Sequence, residues 1–371
     1  MERIRAKRIW LISDTHLGVR SNSREWMDVI EDYFRGFFIP LLKKEYKPGD
    51  VLIHAGDVFD SRQSINLYVL NKGIEIFEEI SSILPVYMII GNHDIFMKYT
   101  NEINSLKVFK NVENITVFEK PTHMMFGSKK IFFLPWVEKH EEIKEILNDP
   151  KNISDVLICH TDIRGLSFNR FTKIEDGAEA EVFKGYGRVY SGHIHYTQKS
   201  KNIRMLGCPY ELTRSDSGNP KSVWVYDLEE DEEIQFKNDY TPKFLRYRLE
   251  WVLEQTLEDL QRTFENNFID IMVTPQWSLK FPFSAFTEKF TGYRKITHNI
   301  VTEEIDAGDS EFAEEGEAGD EINLSSLIEK HIEGLHYSDA VKEKLTSISK
   351  KLYQDTLRDL EEKRNYENQI N

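Results

Sequence analysis

Several short apolar runs in this chain are followed at once by side chains that bind divalent metal ions. The runs at residues 9–12, 51–53, 86–90 and 156–158 are apolar at every position. This pattern is typical of strands buried on both faces of a parallel sheet. The polar groups that follow them, with one more group downstream, are Asp14-Thr15-His16, Gly56-Asp57, Gly91-Asn92-His93-Asp94, His160 and Gly192-His193-Ile194-His195. Because open α/β sheets bind ligands at the carboxyl ends of their strands, we expect these groups to meet at one edge.

The donor types in these groups select a class of metal. Carboxylate, imidazole and amide donors suit borderline-hard divalent ions such as manganese, whereas a soft site needs thiolates. The chain has only Cys159 and Cys208, too few for a cysteine zinc site or a disulfide framework. A lone Asp-x-His or Gly-Asp at a strand end often serves only as a cap or a backbone partner. The whole set in this order predicts a two-metal phosphoesterase.

The motifs resemble those of the calcineurin-like metallophosphoesterase superfamily. Within it they are most similar to SbcD-type nuclease subunits of double-strand-break repair, in particular those of T-even phages. The narrower resemblance rests on Asp14-Thr15-His16-Leu17-Gly18-Val19, Gly56-Asp57-Val58-Phe59-Asp60, Gly91-Asn92-His93-Asp94, Leu134-Pro135-Trp136 and Gly207-Cys208-Pro209-Tyr210-Glu211-Leu212-Thr213. Protein phosphatases of this superfamily typically have Asp-Arg-Gly and Asn-His-Glu, where this chain has Asp60-Ser61-Arg62 and Asn92-His93-Asp94. The phosphatase branch is therefore disfavoured.

The resemblance implies a role for each of these residues. It implies two divalent ions, manganese or alternatively magnesium. The implied ligands are Asp14, His16 and His195 for one ion, Asn92, His160 and His193 for the other, and Asp57 as the bridge. His93 is similar to the family's histidine that contacts the scissile phosphate and assists the leaving oxygen. Asp60, Asp94 and Asp162 follow ligand positions, where we expect them to hold ligand imidazoles or to be structural.

The alternation of strand and helix patterns predicts the fold. Residues 1–245 are predicted to form an α/β nuclease domain, a four-layer sandwich of two mixed sheets flanked by helices. Its first two helices are expected at 24–43 and 65–82, a hairpin around Gly127-Ser128, and later antiparallel strands near 188–190, 203–206 and 222–226. Residues 246–301 are predicted to be a small α/β capping domain, with a helix at 252–264, a half-buried strand at 268–273 and another strand at 295–301.

The C-terminal part predicts a linker and a helical hairpin. Residues 302–321 hold ten acidic and no basic residues, a composition that favours a disordered linker. Residues 322–371 carry two apolar stripes at helical spacing, formed by Leu324, Leu327, Ile328, Ile332 and by Val341, Leu345, Ile348, Leu352. From the residues alone, these stripes can pack on this chain or on a partner. The resemblance implies that these helices bind the coiled coil of an SbcC-type ABC ATPase. It also implies a homodimer within a heterotetramer.

Charge argues against indiscriminate DNA binding. The net charge is −15, and the sequence pI is 5.3. Residues 246–371 hold 15 basic and 26 acidic residues, however, which leaves only −4 for residues 1–245. Four basic residues follow the site motifs, namely Arg20, Arg24, Arg62 and Lys98. Each of them can be either a phosphate contact or an ordinary surface residue. No run approaches the ~20 apolar residues of a membrane span, so we expect a cytoplasmic protein.

Three functions are compatible with these patterns. The first is a manganese-dependent DNA exonuclease and endonuclease subunit that acts at DNA ends in recombination, repair or replication. No Gly-x4-Gly-Lys-Ser/Thr loop is present, so ATP hydrolysis would come from the partner. The second is a small-molecule or cyclic-nucleotide phosphodiesterase on the same core. The third is a scaffold with a vestigial site, which the complete ligand set disfavours.

Overall fold

The computed structural model describes residues 2–278 and 280–300, with residues 342, 344, 346 and 347. The described residues up to 300 belong to one compact unit, Met1–Ser310. The predicted linker at 302–321 lies outside the described residues. So do the stripe positions of the predicted hairpin, Leu324, Leu327, Ile328, Ile332, Val341, Leu345, Ile348 and Leu352. The linker and the hairpin stay predictions.

Strands and helices alternate along the first half of the chain. The strands are β1 (Arg3–Ile4), β2 (Arg8–Ile12), β3 (Asp50–His54), β4 (Val86–Ile89), β5 (Ile95–Met97), β6 (Thr100–Asn104), β7 (Ile115–Phe118), β8 (Thr122–Phe126), β9 (Lys129–Leu134), β10 (Val156–His160), β11 (Arg188–Gly192), β12 (Gln198–Ser200), β13 (Ile203–Met205), β14 (Ser222–Asp227), β15 (Glu232–Lys237), β16 (Phe244–Arg248), β17 (Phe268–Val273) and β18 (Ile296–Ile300). The α-helices are α1 (Arg24–Asp32), α2 (Ile39–Glu45), α3 (Leu67–Ser81), α4 (His140–Asn148), α5 (Leu249–Glu254), α6 (Leu257–Phe264), α7 (Pro275–Ser278) and α8 (Phe283–Thr287). Short 3₁₀ segments lie at Ser105–Phe109, Pro150–Asn152, Ala180–Phe183, Arg214–Asp216 and Glu288–Phe290.

Two large sheets carry the fold within the described residues. One has six strands in the order β15-β14-β2-β3-β4-β7, and the other has seven in the order β1-β8-β9-β10-β11-β13-β12. Strands β2, β3, β4 and β7 run parallel, and so do β9, β10, β11 and β13. Each sheet therefore places several carboxyl ends at the same edge. A three-stranded sheet, β16-β17-β18, belongs to the region of the predicted cap.

The side chains of these strands fill separate cores on either face. Ile9 and Leu11 of β2 lie in the core between the two sheets, together with Phe133 and Ile158. Trp10 points the other way, into a core shared with α1 and α3. Strands β9, β10 and β11 pack their outer faces on α4. The layers are helix, sheet, sheet and helix, so the predicted four-layer sandwich is confirmed.

Some local predictions were wrong. The predicted helix at 24–43 is continuous but contains a π-helical segment, Tyr33–Phe38. The predicted helix at 252–264 is two helices that break at Gln255, because the Thr256 hydroxyl caps the second one. Strand β17 is buried on both faces rather than half-buried. Among the later strands, β11 and β13 pair in parallel, whereas β12, β14 and β15 pair antiparallel.

The sequence predicts a half-buried strand at β17 because the polar residue Asp270 interrupts its apolar residues. The side chain of Asp270 is buried and accepts two hydrogen bonds from the guanidinium of Arg214, at 2.5 and 2.9 Å. The ion pair lets a polar residue occupy a buried position. The predicted domain boundary at residue 245 lies at β16, whose first residue, Phe244, stacks on Trp26 of α1.

Candidate metal centre

The loops that follow β2, β3, β4, β10 and β11 meet at one point. Asp57 lies at the middle, with Oδ2 3.2 Å from Nε2 of His160 and 3.7 Å from Nε2 of His16. Three overlapping groups each bring their ligand atoms within 4.8 Å of one another, namely Asp14 with His16 and His195, Asp57 with His160 and His193, and His16 with Asp57 and His93. Asn92 joins them, since its Oδ1 lies 3.0 Å from Nε2 of His160 and 2.7 Å from Nδ1 of His193. The structure thus brings together every residue of the predicted ligand set.

Hydrogen bonds on the outer ring nitrogens orient three of the imidazoles. Nδ1 of His16 donates to Oδ1 of Asp60 at 3.1 Å, and Nδ1 of His160 donates to the carbonyl oxygen of Ala55 at 2.7 Å. Nε2 of His193 faces Oδ1 of Asp162 at 3.1 Å. In each ring the other nitrogen faces the cluster. Such outer partners fix the tautomer that leaves a lone pair for a metal ion.

The centre contains a buried carboxylate oxygen that lacks a protein counterpart. Asp14 is fully buried, and while its Oδ1 accepts the backbone N–H of His193 at 2.9 Å, its Oδ2 has no partner among the described residues. A buried carboxylate oxygen without a partner is costly. Nε2 of His195 and Nε2 of His16 lie 3.0 Å apart in the same group. A divalent cation would satisfy the Asp14 oxygen and could bind both rings, so the residues present fit the metal ions that this type of site implies.

The backbone of the ligand loops is strained. Asp14, His16, Asp57 and His193 have positive φ values of 54°, 44°, 58° and 82°. A non-glycine residue there costs of the order of 1 kcal/mol or more, and such strain clusters at functional sites. Gly91 permits the close approach of two loops, because a Cβ there would lie 2.2 Å from Oδ1 of Asp57.

The charges of the centre are coupled. Burial by itself raises the pKa of Asp57, but the imidazole of His160 outweighs it and holds the pKa of this carboxyl well below its usual range. Burial and the neighbouring His16 lower the pKa of His195 to about 4, so this ring is neutral, as a metal ligand must be. Burial also opposes protonation of His160, yet Asp57 raises its pKa to about 9. Without metal ions, Asp57 and His160 therefore form an ion pair.

His93 lies next to the predicted metal ligands. It is distinct from the residues that hydrogen-bond to the outer ring nitrogens of those ligands. Its backbone N–H donates to Oδ1 of Asp57 at 2.8 Å, and its Nδ1 donates to the carbonyl oxygen of Asp60 at 2.6 Å. Its ring lies edge-on to that of His16, with centroids 4.8 Å apart. Since Nδ1 is the donor, proton exchange with a substrate oxygen falls to Nε2.

The three predicted supporting aspartates differ in what they hold. Asp60 and Asp162 contact imidazoles, as expected. Asp94 instead accepts the backbone N–H groups of Asp57, Val58, Phe59 and Gly91, at 2.9 to 3.2 Å, and the Ser105 hydroxyl. Burial and the charge of Asp57 raise the pKa of Asp94 to about 6. Within the described residues, Asp94 therefore fixes the loop of Asp57, which is the structural one of the two roles expected for it.

A buried cluster behind His195 was not found from the sequence. Nζ of Lys221 donates to the carbonyl oxygen of His195 at 2.9 Å, to Oδ1 of Asp216 at 2.6 Å and to Sγ of Cys208 at 3.2 Å. Asn219 binds the backbone N–H and C=O of Thr197 in the same loop. In a sequence, a single lysine next to a strand does not indicate that it supports the loop of His195. The Gly207-Cys208-Pro209-Tyr210 motif is the nearest sequence clue.

The four predicted DNA-contact cations differ in their contacts and exposure. The guanidinium of Arg20 lies 4.8 Å from the ring of Trp26 and donates to the carbonyl oxygen of Leu212 at 3.3 Å. That of Arg24 lies 5.3 Å from the ring of Tyr68. Arg62 is half-buried and Lys98 is exposed. Their contact with DNA stays a prediction.

The remaining described polar residues of note are explained by packing. His54 is buried, with Nε2 3.0 Å from Oγ1 of Thr15 and its ring against Phe77, and burial lowers its pKa to about 3. Cys159 and Cys208 are both free and buried, as expected. In the part of the chain that the structure describes, every helix is too short or too polar to cross a bilayer.

Two mixed sheets packed face to face, with a cluster of Asp, Asn and His side chains at the carboxyl ends of their parallel strands, are the arrangement of a metallophosphoesterase. The chain belongs to the calcineurin-like phosphoesterase family, whose model matches residues 7–197. This family uses divalent metal ions.

Similar proteins include nucleases. The chain is 27% identical over 351 residues to exonuclease subunit 1 of Enterobacteria phage T4, covering 92% of this chain and 97% of the phage protein. It is 26% identical over 209 residues to the DNA double-strand break repair protein Mre11 of Sulfurisphaera tokodaii, covering 53% of this chain and 52% of the archaeal protein. A solved archaeal phosphodiesterase is 13% identical and covers 62% of this chain and 99% of its own, with a TM-score of 0.34.

Proposed function

We propose that this chain is a manganese-dependent DNA nuclease subunit that hydrolyses phosphodiester bonds at DNA ends and in single strands. The observation that carries the proposal is the convergence of six donor residues around Asp57, next to His93. The similarity to a phage exonuclease subunit over nearly its whole length supports DNA as the substrate. We further propose that it works as a homodimer with an SbcC-type ATPase, in which the helical hairpin at 322–371 contacts the partner.

The proposed ligand assignment follows the contacts. Asp14, His16 and His195 would hold one ion, and Asn92, His160 and His193 the other, with Asp57 between them. Divalent ions supply Lewis-acid polarisation of a phosphodiester and positive charge beside the oxygens that enter and leave.

The protein's own groups would position and protonate the substrate. The hydrogen bond from Nδ1 of His93 to the carbonyl oxygen of Asp60 holds the ring, so that Nε2 can deliver a proton to the leaving oxygen. Asp94 keeps the loop of Asp57 fixed through its backbone contacts. Asp60 and Asp162 keep the rings of His16 and His193 turned toward the centre.

The test compares two substrates under manganese. Linear duplex DNA with a labelled end and bis-p-nitrophenyl phosphate are each incubated with the full chain, with and without a coexpressed ATPase candidate. The proposal expects digestion of the duplex. If only the small ester is cleaved in both preparations, the nuclease proposal fails and a small-molecule phosphodiesterase is favoured.

A further inference from the structure

Two exposed loops with aromatic side chains directly follow two of the ligand motifs. The first is the hairpin β5–β6, which begins one residue after Asp94. It exposes Phe96 (53%), Met97 (51%) and Tyr99 (76%). Large apolar side chains with at least half of their surface open to water contribute little to a core within the described residues, so packing does not explain their presence.

The second loop, residues 163–178, begins directly after Asp162. Its tip exposes Phe168 and Phe171, at 44% and 47%. Backbone pairing between Ser167 and Lys173 and a hydrogen bond from the N–H of Phe168 to the carbonyl oxygen of Thr172 close this tip into a tight turn. Its aromatic rings are therefore presented on an ordered backbone.

Contacts tie both loops to the walls of the metal centre. Nδ2 of Asn101, on β6, donates to the carbonyl oxygen of Trp136 at 3.3 Å. The ring of Trp136 lies 5.0 Å from that of His193 and 6.0 Å from that of His160, measured between centroids. The second loop is joined to the site through Asp162, which contacts His193. A strand whose phosphate reaches the centre would place neighbouring nucleosides next to these loops.

Each loop combines aromatic rings with cations. Nζ of Lys139 lies 5.9 Å from the ring centroid of Tyr99, and the guanidinium of Arg170 lies 4.9 Å from that of Phe171. Lys98 lies at the turn of the hairpin. Local cations beside aromatic rings in a chain of net charge −15 favour a phosphate-bearing occupant over a second copy of this acidic chain.

We propose that these two loops bind single-stranded DNA by stacking its bases on Phe96, Tyr99, Phe168 and Phe171, while Lys139 and Arg170 contact its phosphates. The inference rests on the proposed nuclease function and adds to it a binding site for unpaired bases, in single strands or at an opened duplex end. Every base has a π-face, so such stacking tolerates any sequence, whereas a paired base in a duplex is already stacked and is not available.

The experiment compares two double variants with a matched aromatic control. The variants are Phe96→Ala with Tyr99→Ala, and Phe168→Ala with Phe171→Ala. The control is Tyr46→Ala, since Tyr46 is also exposed but lies shortly before the amino end of β3, away from the edge that carries Asp57. Each protein is assayed with manganese on an oligothymidylate, on an abasic oligomer of the same length and on bis-p-nitrophenyl phosphate.

Stacking predicts a specific pattern of losses. Each double variant should raise KM for the oligothymidylate by ~10-fold, because stacking of one base on an aromatic ring contributes about that factor or more. Turnover of the small ester should stay at the wild-type value, and the abasic oligomer should be cleaved equally by wild type and variants. The Tyr46→Ala protein should match wild type on all three substrates.

Two results would overturn the inference while leaving the nuclease function intact. One is wild-type KM for the oligothymidylate in both variants. The other is a variant whose sedimentation coefficient differs from that of wild type while its KM for the oligothymidylate is unchanged. The hairpin would then be a contact between two copies of this chain. If wild type cleaves the small ester but neither oligothymidylate nor duplex, with or without the ATPase candidate, the proposed function itself has failed.

Discussion

The ammonium group of Lys221 lies 2.9 Å from the carbonyl oxygen of His195, inside the protein and 2.6 Å from the carboxylate of Asp216. Both charged side chains are only 3% exposed. The ion pair therefore fixes the backbone of a metal-ligand loop from behind. Asp216 in turn accepts the backbone N–H groups of Leu212 and Thr213, which joins this loop to the next one.

The Lys221→Met variant should bind manganese more weakly. Loss of the hydrogen bond to the His195 carbonyl lets this loop move, and changes of groups behind metal ligands typically cost ~10–100-fold in metal affinity. The measurement is a manganese titration by calorimetry or by electron paramagnetic resonance. Because the variant leaves Asp216 buried and unpaired, unfolding should also become easier by about 3–5 kcal/mol.

A double variant separates these two effects. Lys221→Met with Asp216→Asn removes both charges, and the amide oxygen can still accept the backbone N–H groups of Leu212 and Thr213. This double variant should therefore regain much of the lost stability but not the metal affinity. Arg204→Met is the control, since it breaks a largely buried 2.6 Å ion pair with Glu233 that involves no ligand residue. Wild-type manganese affinity in a folded Lys221→Met protein would show that Lys221 is structural only.

The His93→Gln variant should keep its metal ions and lose cleavage. The backbone N–H of His93 donates to Oδ1 of Asp57, and this contact is kept when the ring is replaced, so we expect the predicted ligand positions to remain. Loss of a positioned proton donor typically lowers kcat by ~10²–10⁴-fold. Turnover of an oligothymidylate, whose alkoxide leaving group needs a proton, and a manganese titration on the same sample check this. Equal turnover by wild type and variant would exclude His93 as the proton donor.

The Gly91→Ala variant should damage the centre through a single methyl group. The added Cβ would lie 2.4 Å from the backbone nitrogen of Asp57 and 2.2 Å from its Oδ1, so the two loops must separate. We expect a loss of stability of about 1–3 kcal/mol from the forced backbone shift, together with weaker manganese binding. Thermal unfolding and metal titration measure the two effects.

Gly165→Ala serves as the control for this substitution. Gly165 has a φ of +83°, and a Cβ there meets no atom within 4 Å. Its cost is limited to the left-handed backbone, about 1 kcal/mol. If Gly165→Ala weakened manganese binding as much as Gly91→Ala, close approach to Asp57 would not be the cause.

Lowering the pH should remove the stabilisation that the ionised carboxylate of Glu233 contributes. Burial raises the pKa of Glu233, but Arg204 and Lys199 outweigh it and lower the pKa to about 2. A carboxyl whose pKa is lower in the folded state stabilises the protein above its unfolded pKa, and this contribution fades as pH falls toward the folded value. The free energy of unfolding of wild type should therefore fall between about pH 4.5 and pH 2, by at most about 3 kcal/mol from this group.

Urea unfolding over this pH range tests the assignment. Glu233→Gln should be less stable than wild type near neutral pH, and the difference should shrink as the pH approaches 2. Glu232→Gln, an exposed neighbour, should follow the wild-type curve. A constant difference between Glu233→Gln and wild type at every pH would contradict the assigned pKa.

The sequence by itself determined the sheets and the edge at which their polar loops meet. A strand that is apolar at every position must be covered on both faces by other layers of the fold. The polar residues that follow it must then lie at the open edge of the sheet. That constraint is local and repeated, so Asp14, Asp57 and His160 could be predicted without coordinates. The fold of residues 2–300 follows the same logic, and differs mainly where hydrogen bonds, as at Thr256, interrupt a periodic pattern.

Only the tertiary structure decided which polar residues support the centre. For Asp94 the sequence left a contact with an imidazole and a structural role both open, and the structure shows that its partners include backbone N–H groups that a sequence cannot place in space. Lys221 reaches His195 across 26 residues, and Asp270 reaches Arg214 across 56. Such pairs depend on how separate segments are brought together, because a buried charge is tolerated only where a distant partner arrives at hydrogen-bonding distance.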